Sequence, residues 1–119
     1  MRALIIDDDE ISCQLLTEVL ERKGIEAVWT TDSLAGYEMS LLHHYDLFIL
    51  DVRMPLLLGT ELPEGLKKDN PGAKIILISA FADEALVEAS RGLGVPLLSK
   101  PFSPDCLLQV ISEALGPQV

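Results

Sequence analysis

The sequence has few basic residues. It contains nine lysines and arginines against nineteen aspartates and glutamates, for a formal net charge of −10. Surfaces that bind a nucleic-acid backbone or an anionic membrane need clustered lysine and arginine, and the chain has no such cluster. We therefore expect neither direct nucleic-acid binding nor a membrane surface, and we ascribe most of the acidic balance to solubility.

Cysteine is also scarce, and long apolar runs are absent. Cys13 and Cys106 are too few for a disulfide framework, so we expect a reducing, cytoplasmic setting in which both are small apolar or half-buried side chains rather than nucleophiles. The N-terminal apolar run at residues 3–6 is too short for a signal peptide. No run is long enough to cross a bilayer.

The composition is that of one globular domain. The chain has 119 residues, of which 49% are hydrophobic and 24% charged, and we predict a single domain over residues 1–119. Short apolar runs alternate five times with segments of helical spacing. The runs lie at residues 3–6, 25–29, 47–50, 74–78 and 95–98. This alternation predicts an α/β fold, a doubly wound parallel sheet with right-handed crossovers and helices on both faces.

Capping residues mark the ends of several predicted helices. Gly24 follows the first helix, residues 30–33 supply an N-cap for the second, and Ser103 precedes a proline at the start of the last. The second helix carries four large apolar side chains, Leu34, Tyr37, Leu41 and Leu42.

Acidic, hydroxyl or amino side chains follow four of the predicted strands. The first strand ends in Asp7 and Asp8, the third in Asp51, the fourth in Ser79 and the fifth in Lys100. Because the carboxyl ends of parallel strands share one edge of a sheet, these side chains surround one pocket if the four strands are neighbours.

The chemistry of that set suits phosphoryl transfer. Neighbouring carboxylates repel and raise one another's pKa unless a cation neutralises them, and oxygen ligands with open positions suit Mg²⁺. A divalent cation, a lysine and a hydroxyl can neutralise a phosphoryl group, which is most of what its transfer requires. Asp51 is then the candidate nucleophile, forming an aspartyl-phosphate. Taken singly, each residue also has an ordinary explanation as a helix cap, a loop cap or a solvated charge, but four suitable strand ends rarely coincide by chance.

Over the entire chain these residues resemble the receiver domain of two-component response regulators. The motifs that carry the resemblance are residues 4–10 (LIIDDDE), residues 46–55 (DLFILDVRMP) with Gly59, residues 76–80 (ILISA) and residues 100–102 (KPF). The resemblance implies a flavodoxin-like sheet of order 2-1-3-4-5. It also implies a phosphorylation-dependent switch rather than an enzyme for an external metabolite, although such a domain catalyses its own phosphorylation and dephosphorylation.

The resemblance also assigns roles to individual residues. Asp51 accepts a phosphoryl group from a sensor histidine kinase or a phosphotransfer protein. Asp8, Asp51 and the main-chain carbonyl of Arg53 bind Mg²⁺ or Mn²⁺, while Asp7 acts mainly through water. Ser79 and Lys100 hold the phosphoryl oxygens. The bond between Lys100 and the proline after it is often cis in this family.

The switch implied by the family moves the loop after Ser79 and changes the face formed by the fourth helix, the fifth strand and the fifth helix, which contacts a downstream protein or output domain. This chain departs from the family at Leu97, where an aromatic residue is usual. Phe81 and Arg53, each two residues beyond a site residue, are expected to modulate hydrolysis of the phosphoryl group. Residues 56–58, three leucines, either pack beneath their loop or form an apolar patch for a kinase or for a second subunit in a homodimer.

Two other functions remain open at this stage. The first is a haloacid-dehalogenase-like phosphatase with Asp7 as nucleophile and Asp9 as acid, for which the chain is short. The second is a receiver-shaped interaction module that is never phosphorylated. This alternative gives no role to four suitable site residues, Asp8, Asp51, Ser79 and Lys100.

Overall fold

Strands and helices alternate strictly in the computed structural model, which describes residues 1–52, 61–81 and 83–116. The strands are β1 (Arg2–Ile6), β2 (Glu26–Thr30), β3 (Leu47–Asp51), β4 (Lys74–Ser79) and β5 (Leu97–Ser99). The helices are α1 (Glu10–Arg22), α2 (Ser33–Leu42), α3 (Glu61–Asp69), α4 (Glu84–Leu93) and α5 (Pro104–Leu115). None of the helices in this part of the chain is both long and apolar enough to span a membrane.

The five strands form one parallel sheet in the order β2-β1-β3-β4-β5. This order confirms the predicted doubly wound architecture. The central strand β3 is buried along its whole length, as its continuous apolar run predicts. In the register of the sheet, Asp51 pairs with Ile78 and Ser79 pairs with Ser99. The polar residues that end these strands therefore lie at the same edge of the sheet.

Apolar side chains pack on both faces of the sheet. On β1, Ala3 and Ile5 belong to one core cluster with residues of α1 and α5, whereas Leu4 and Ile6 belong to a second cluster with Leu66 of α3. This alternation follows from the two-residue period of a strand. The sheet is therefore covered on both sides and presents the ends of its strands to ligands.

The helix caps predicted at residues 30–33 and at Ser103 are confirmed. Asp32 and Ser103 each accept a hydrogen bond from a backbone N–H in the first turn of α2 and α5, and Asp9 does the same for α1. Asp83 does the same for α4. Gly24 follows α1 with a φ of 78°, a left-handed conformation that favours glycine.

The three leucines of α2 are exposed, whereas Tyr37 is partly buried against the core. The helix forms where the sequence predicts it, but Leu34, Leu41 and Leu42 remain 58%, 57% and 76% exposed. The residues that α2 buries are small, namely Ser33, Gly36 and Ser40. The leucines therefore indicated the helix correctly but not its inner face.

Two smaller expectations are also corrected. The fifth strand was predicted over residues 95–98, but β5 begins only at Leu97. Pro96 has no N–H to donate and contributes only its carbonyl, which accepts a hydrogen bond from the N–H of Leu77. Of the two free cysteines, Cys13 is buried as expected, whereas Cys106 is exposed near the start of α5.

Candidate functional site

Three carboxylates meet where β1 and β3 end. Asp7, Asp8 and Asp51 each offer one oxygen, and these three atoms lie within 4.8 Å of one another. Asp7 and Asp51 are fully buried, whereas Asp8 is exposed. The predicted convergence of the first and third strand ends is therefore observed, and the cluster is open to solvent on the side of Asp8.

Lys100 joins this cluster from the loop that follows β5. Its ammonium nitrogen Nζ lies 2.8 Å from Oδ2 of Asp7 and 3.2 Å from Oδ2 of Asp51. The backbone N–H of Lys100 donates to the carbonyl of Ser79 at 2.7 Å, which ties its loop to the end of β4. The peptide bond between Lys100 and Pro101 is cis, as the family resemblance implied.

Among the residues that the structure describes, three carboxylates and one ammonium group meet in this cluster. Burial raises the pKa of Asp7 to about 6, even though Lys100 and the N–H of Asp9 stabilise its carboxylate form. Burial acts to lower the pKa of Lys100, but its hydrogen bond to Asp7 and the charges of Asp51 and Asp7 outweigh that effect, so the pKa is raised. Lys100 therefore stays protonated, and the buried carboxylates favour additional positive charge.

The hydroxyl of Ser79 lies buried at the end of β4. Its Oγ accepts a hydrogen bond from the backbone N–H of Phe81 at 3.0 Å, so the side chain is linked to its own loop. The Phe81 side chain is 75% exposed. A rotation of Ser79 towards the carboxylates would change this link, because the Oγ would leave the Phe81 N–H.

Asp9 and Cys13 support the position of Asp7. Asp9 accepts from the N–H of Ile11 at 3.1 Å and from the Ser12 hydroxyl at 3.1 Å, while its own N–H donates to Asp7 Oδ1 at 2.9 Å. The buried Cys13 thiol donates to the carbonyl of Asp7 at 3.3 Å, and burial raises the pKa of this thiol to about 12. Sequence reasoning missed the role of Cys13, since nothing in a six-residue spacing indicates such a contact.

The remaining predicted site residues do not all fall within the described structure. Arg53 and residues 56–58 lie outside the described residues. Leu97 is half-buried on β5, pairs with Leu77 in the sheet register and packs against the core cluster that contains Leu4 and Ile6. Leu97 therefore has apolar surroundings that suit a leucine.

Comparison with known proteins identifies the family. The response regulator receiver domain family matches residues 3–112. The chain belongs to this family. Among its relatives, the polar-differentiation response regulator DivK of Brucella ovis is 29% identical over 116 residues, covering 95% of this chain and 94% of that protein.

Solved receiver structures share the fold. A CheY-like response regulator receiver domain protein from Methanospirillum hungatei JF-1 superposes with a TM-score of 0.87 at 30% identity, covering 96% of this chain and 92% of that one. A response regulator from Thermotoga maritima gives a TM-score of 0.86 at 22% identity, covering 96% of each chain. The second likeness concerns the fold alone.

Membership of this family favours a phosphorylation-dependent signalling switch over both alternatives. The phosphatase hypothesis needs Asp9 as a proton donor, but the Asp9 carboxylate accepts hydrogen bonds at the start of α1. The receiver domain is therefore a component of a two-component system and not a conventional enzyme.

Proposed function

We propose that residues 1–119 form one receiver domain in which Asp51 accepts a phosphoryl group from a phosphohistidine. The observation that carries the proposal is the position of the Asp51 carboxylate, which is fully buried at the end of β3 and within 3.2 Å of the Lys100 ammonium. A sensor histidine kinase or a phosphotransfer protein supplies the phosphohistidine. The other strand ends surround Asp51 with groups suited to a phosphoryl group.

The carboxylate cluster fits a divalent cation. Asp7, Asp8 and Asp51 together carry three formal negative charges, of which Lys100 offsets one within the described part of the chain, and all their donor atoms are hard oxygens. We propose that Asp8 and Asp51 bind Mg²⁺ or Mn²⁺ directly and that Asp7 acts mainly through water. The carbonyl of Arg53 is a further proposed ligand, and it lies outside the described residues. When bound, the cation neutralises charge on the phosphoryl oxygens.

The side chains around Asp51 have distinct roles in the proposed transfer. An Asp51 carboxylate oxygen forms the new P–O bond while the P–N bond to the donor imidazole breaks, and the electron pair leaves with the imidazole nitrogen. Lys100 neutralises charge on the phosphoryl oxygens. Ser79 donates its hydroxyl hydrogen to one of them. Ser79 is the last residue of β4, which neighbours the Asp51 strand β3. Lys100 follows β5, the next strand along the sheet.

Conversion to the phosphorylated state involves the loop after Ser79. A phosphoryl group on Asp51 adds negative charge and acceptor oxygens, and Ser79 turns towards them. Since the Ser79 Oγ also accepts from the Phe81 N–H, that turn shifts the loop before α4. The response then passes to the face formed by α4, β5 and α5, where a downstream protein or output domain binds. Leu97 stands where an aromatic residue is usual in the family, and we propose that the response at β5 is a change in the packing of this apolar side chain.

An apolar groove beside the site suits a protein as phosphoryl donor. It lies between α1 and the loop after β5, and Lys100 is one of the residues that line it. Its apolar walls are formed by Leu15, Leu16, Val19, Pro101 and Phe102. We propose that a helix carrying the donor histidine docks in this groove, which places the phosphohistidine beside Asp51. A cytoplasmic location, in keeping with two free cysteines, completes the proposal.

The proposed chemistry is tested by intact-mass measurement after incubation with acetyl phosphate and Mg²⁺. Wild type is expected to gain one phosphoryl group, and Asp51→Asn none. Asp105→Asn is a matched control, because it removes an exposed carboxylate in the first turn of α5 and should be labelled like wild type.

The same experiment separates the alternatives. Phosphate trapped on Asp7 would favour the phosphatase. Absence of labelling in wild type, both with acetyl phosphate and with a panel of phosphorylated histidine kinases, would favour an interaction module that is never phosphorylated. Chelation of Mg²⁺ with EDTA before the incubation should abolish labelling of wild type.

A further inference from the structure

Helix α2 presents its large apolar residues to solvent. Leu34, Leu41 and Leu42 are more than half exposed, and they are three of six such large hydrophobic residues in the described part of the chain. Two others, Ile11 and Leu15, lie on α1. Phosphoryl transfer at Asp51 involves none of the three leucines of α2, which therefore need another explanation.

Close packing against the sheet determines which face of α2 is outward. A Cβ placed on Gly36 would overlap Cδ1 and Cγ1 of Ile6 on β1, so glycine allows the helix to approach the sheet this closely. The hydroxyl of Tyr37 donates to Asp69 at 2.8 Å and joins α2 to α3. Because the helix cannot rotate without breaking these contacts, its leucines cannot turn inward.

The exposed residues form one stripe along the helix. Leu34, Glu38 and Leu41 follow one another at intervals of four and three residues, and Leu42 adjoins them on the next position of the helix. This spacing is typical of a helix face that packs against another helix. We call these four residues the α2 stripe.

The charge of the α2 stripe limits what can cover it. Glu38 lies within it, Asp32 caps the same helix, and both are exposed. The sequence of α2 contains no lysine or arginine, and the chain carries a formal charge of −10. A second copy would bring like charges together, and three leucines cover far less than the roughly 800 Å² that each partner buries in a stable interface.

We propose that the α2 stripe docks a helix of another protein whose apolar face is flanked by lysine or arginine. The leucines of α2 supply apolar contact, while Glu38 and Asp32 attract the basic flanks. The small apolar area makes this a weak, transient contact. It is separate from the groove beside Asp51, so the partner can be held whether or not Asp51 carries a phosphoryl group.

The test uses a synthetic helical peptide with leucines on one face and lysines on both flanks, titrated into the ¹⁵N-labelled chain of residues 1–119. Amide chemical shifts of α2 are expected to change and saturate. The triple variant Leu34→Gln, Leu41→Gln, Leu42→Gln should weaken binding by at least about tenfold, because it removes the apolar contacts. A peptide with glutamate in place of lysine should bind at least about tenfold more weakly than the basic one.

Controls distinguish the α2 stripe from the other apolar surface. The variant Ile11→Gln alters a similarly exposed apolar residue on α1 that does not line the groove beside Asp51, and it should leave peptide binding unchanged. The triple variant should keep the helical circular dichroism and the acetyl phosphate labelling of wild type, which shows that the fold is intact.

Three outcomes would overturn the proposal. They are shift changes confined to the α1 groove, equal binding of the acidic and basic peptides, and a concentration-dependent dimer in sedimentation velocity that the triple variant abolishes. The last result would assign the α2 stripe to a second copy of the chain. Failure of Asp51 phosphorylation would not affect the proposal, because the peptide is titrated into unphosphorylated protein.

Discussion

The ammonium of Lys100 lies 2.8 Å from the Asp7 carboxylate, and the same nitrogen is 3.2 Å from the carboxylate of Asp51. One cation thus stabilises two fully buried acidic side chains that come from different strands. Buried charges of like sign are costly, so the free energy of unfolding should depend on the number and sign of the charges at this edge of the sheet.

Replacing the lysine should destabilise the fold. We expect Lys100→Met to lower the free energy of unfolding by about 3 kcal/mol at pH 7, because it leaves Asp7 and Asp51 buried without this cation. Urea unfolding followed by circular dichroism measures the change. The loss should shrink at pH 5, where Asp7 binds a proton. Lys68→Met, an exposed lysine of α3, is the control and should change stability by less than about 0.5 kcal/mol.

Removing the charge of Asp7 should have the opposite effect. The pKa of Asp7 is raised from 3.8 to about 6 in the folded protein, so between these values the folded state binds more protons than the unfolded state. The free energy of unfolding therefore falls as pH rises from about 4 to about 6. Asp7→Asn removes this loss and should be about 2 kcal/mol more stable than wild type at pH 7.

The measurement is a series of urea unfolding curves between pH 4 and pH 7.5 without divalent cations. The advantage of Asp7→Asn should decrease towards pH 4, where the wild-type carboxyl is protonated. An equal advantage at every pH would show that titration of Asp7 does not cause it.

Divalent cations should stabilise the wild-type protein. A ligand that binds only the folded state raises the melting temperature in a concentration-dependent way, so Mg²⁺ should increase it and EDTA should reverse the increase. Asp51→Asn and Asp8→Asn should reduce the response, since each removes a proposed ligand. Differential scanning calorimetry with Na⁺ at equal ionic strength controls for screening, and an identical response to Na⁺ would contradict a specific site.

The close contact between α2 and β1 depends on a glycine, Gly36, which has no Cβ. Gly36→Ala should destabilise the protein by about 1–3 kcal/mol, because the new Cβ would overlap the side chain of Ile6. Gly92→Ala in α4 is the matched control. Nothing lies within 4 Å of a Cβ at Gly92, so that change should stabilise the helix by about 0.5–1 kcal/mol. Thermal unfolding of both variants gives the comparison, and equal effects would contradict the close approach.

The lifetime of the phosphorylated state should depend on Phe81. Its exposed side chain lies next to the loop of Ser79, and we expect it to obstruct the water that hydrolyses the phosphoryl group. Phe81→Ala should therefore lose phosphate faster than wild type after removal of acetyl phosphate, by a few-fold. Loss of intact-mass label with time measures this. Decay at the wild-type rate would exclude the proposed obstruction.

Much of the fold follows from local sequence patterns. The buried run that ends at Asp51, the caps at Asp9 and Ser103 and the glycine after α1 all act over a few residues, so their consequences can be predicted without distant contacts. The alternation of strands and helices then restricts the topology to a parallel sheet. The types of residue at the strand ends, with their order, indicate the family and predict the chemistry that we propose.

Contacts between distant segments decided the rest. The apolar spacing of α2 indicated a helix, but whether its leucines or its small residues face the sheet depended on how closely the helix approaches Ile6. The period of the apolar residues indicates which of them share a face of the helix, but it does not indicate what that face packs against. In the same way, the sequence predicted that Asp7, Asp51 and Lys100 share one edge of the sheet if their strands are neighbours. The position of the Lys100 ammonium between two buried carboxylates came only from the packing of β1, β3 and the loop after β5.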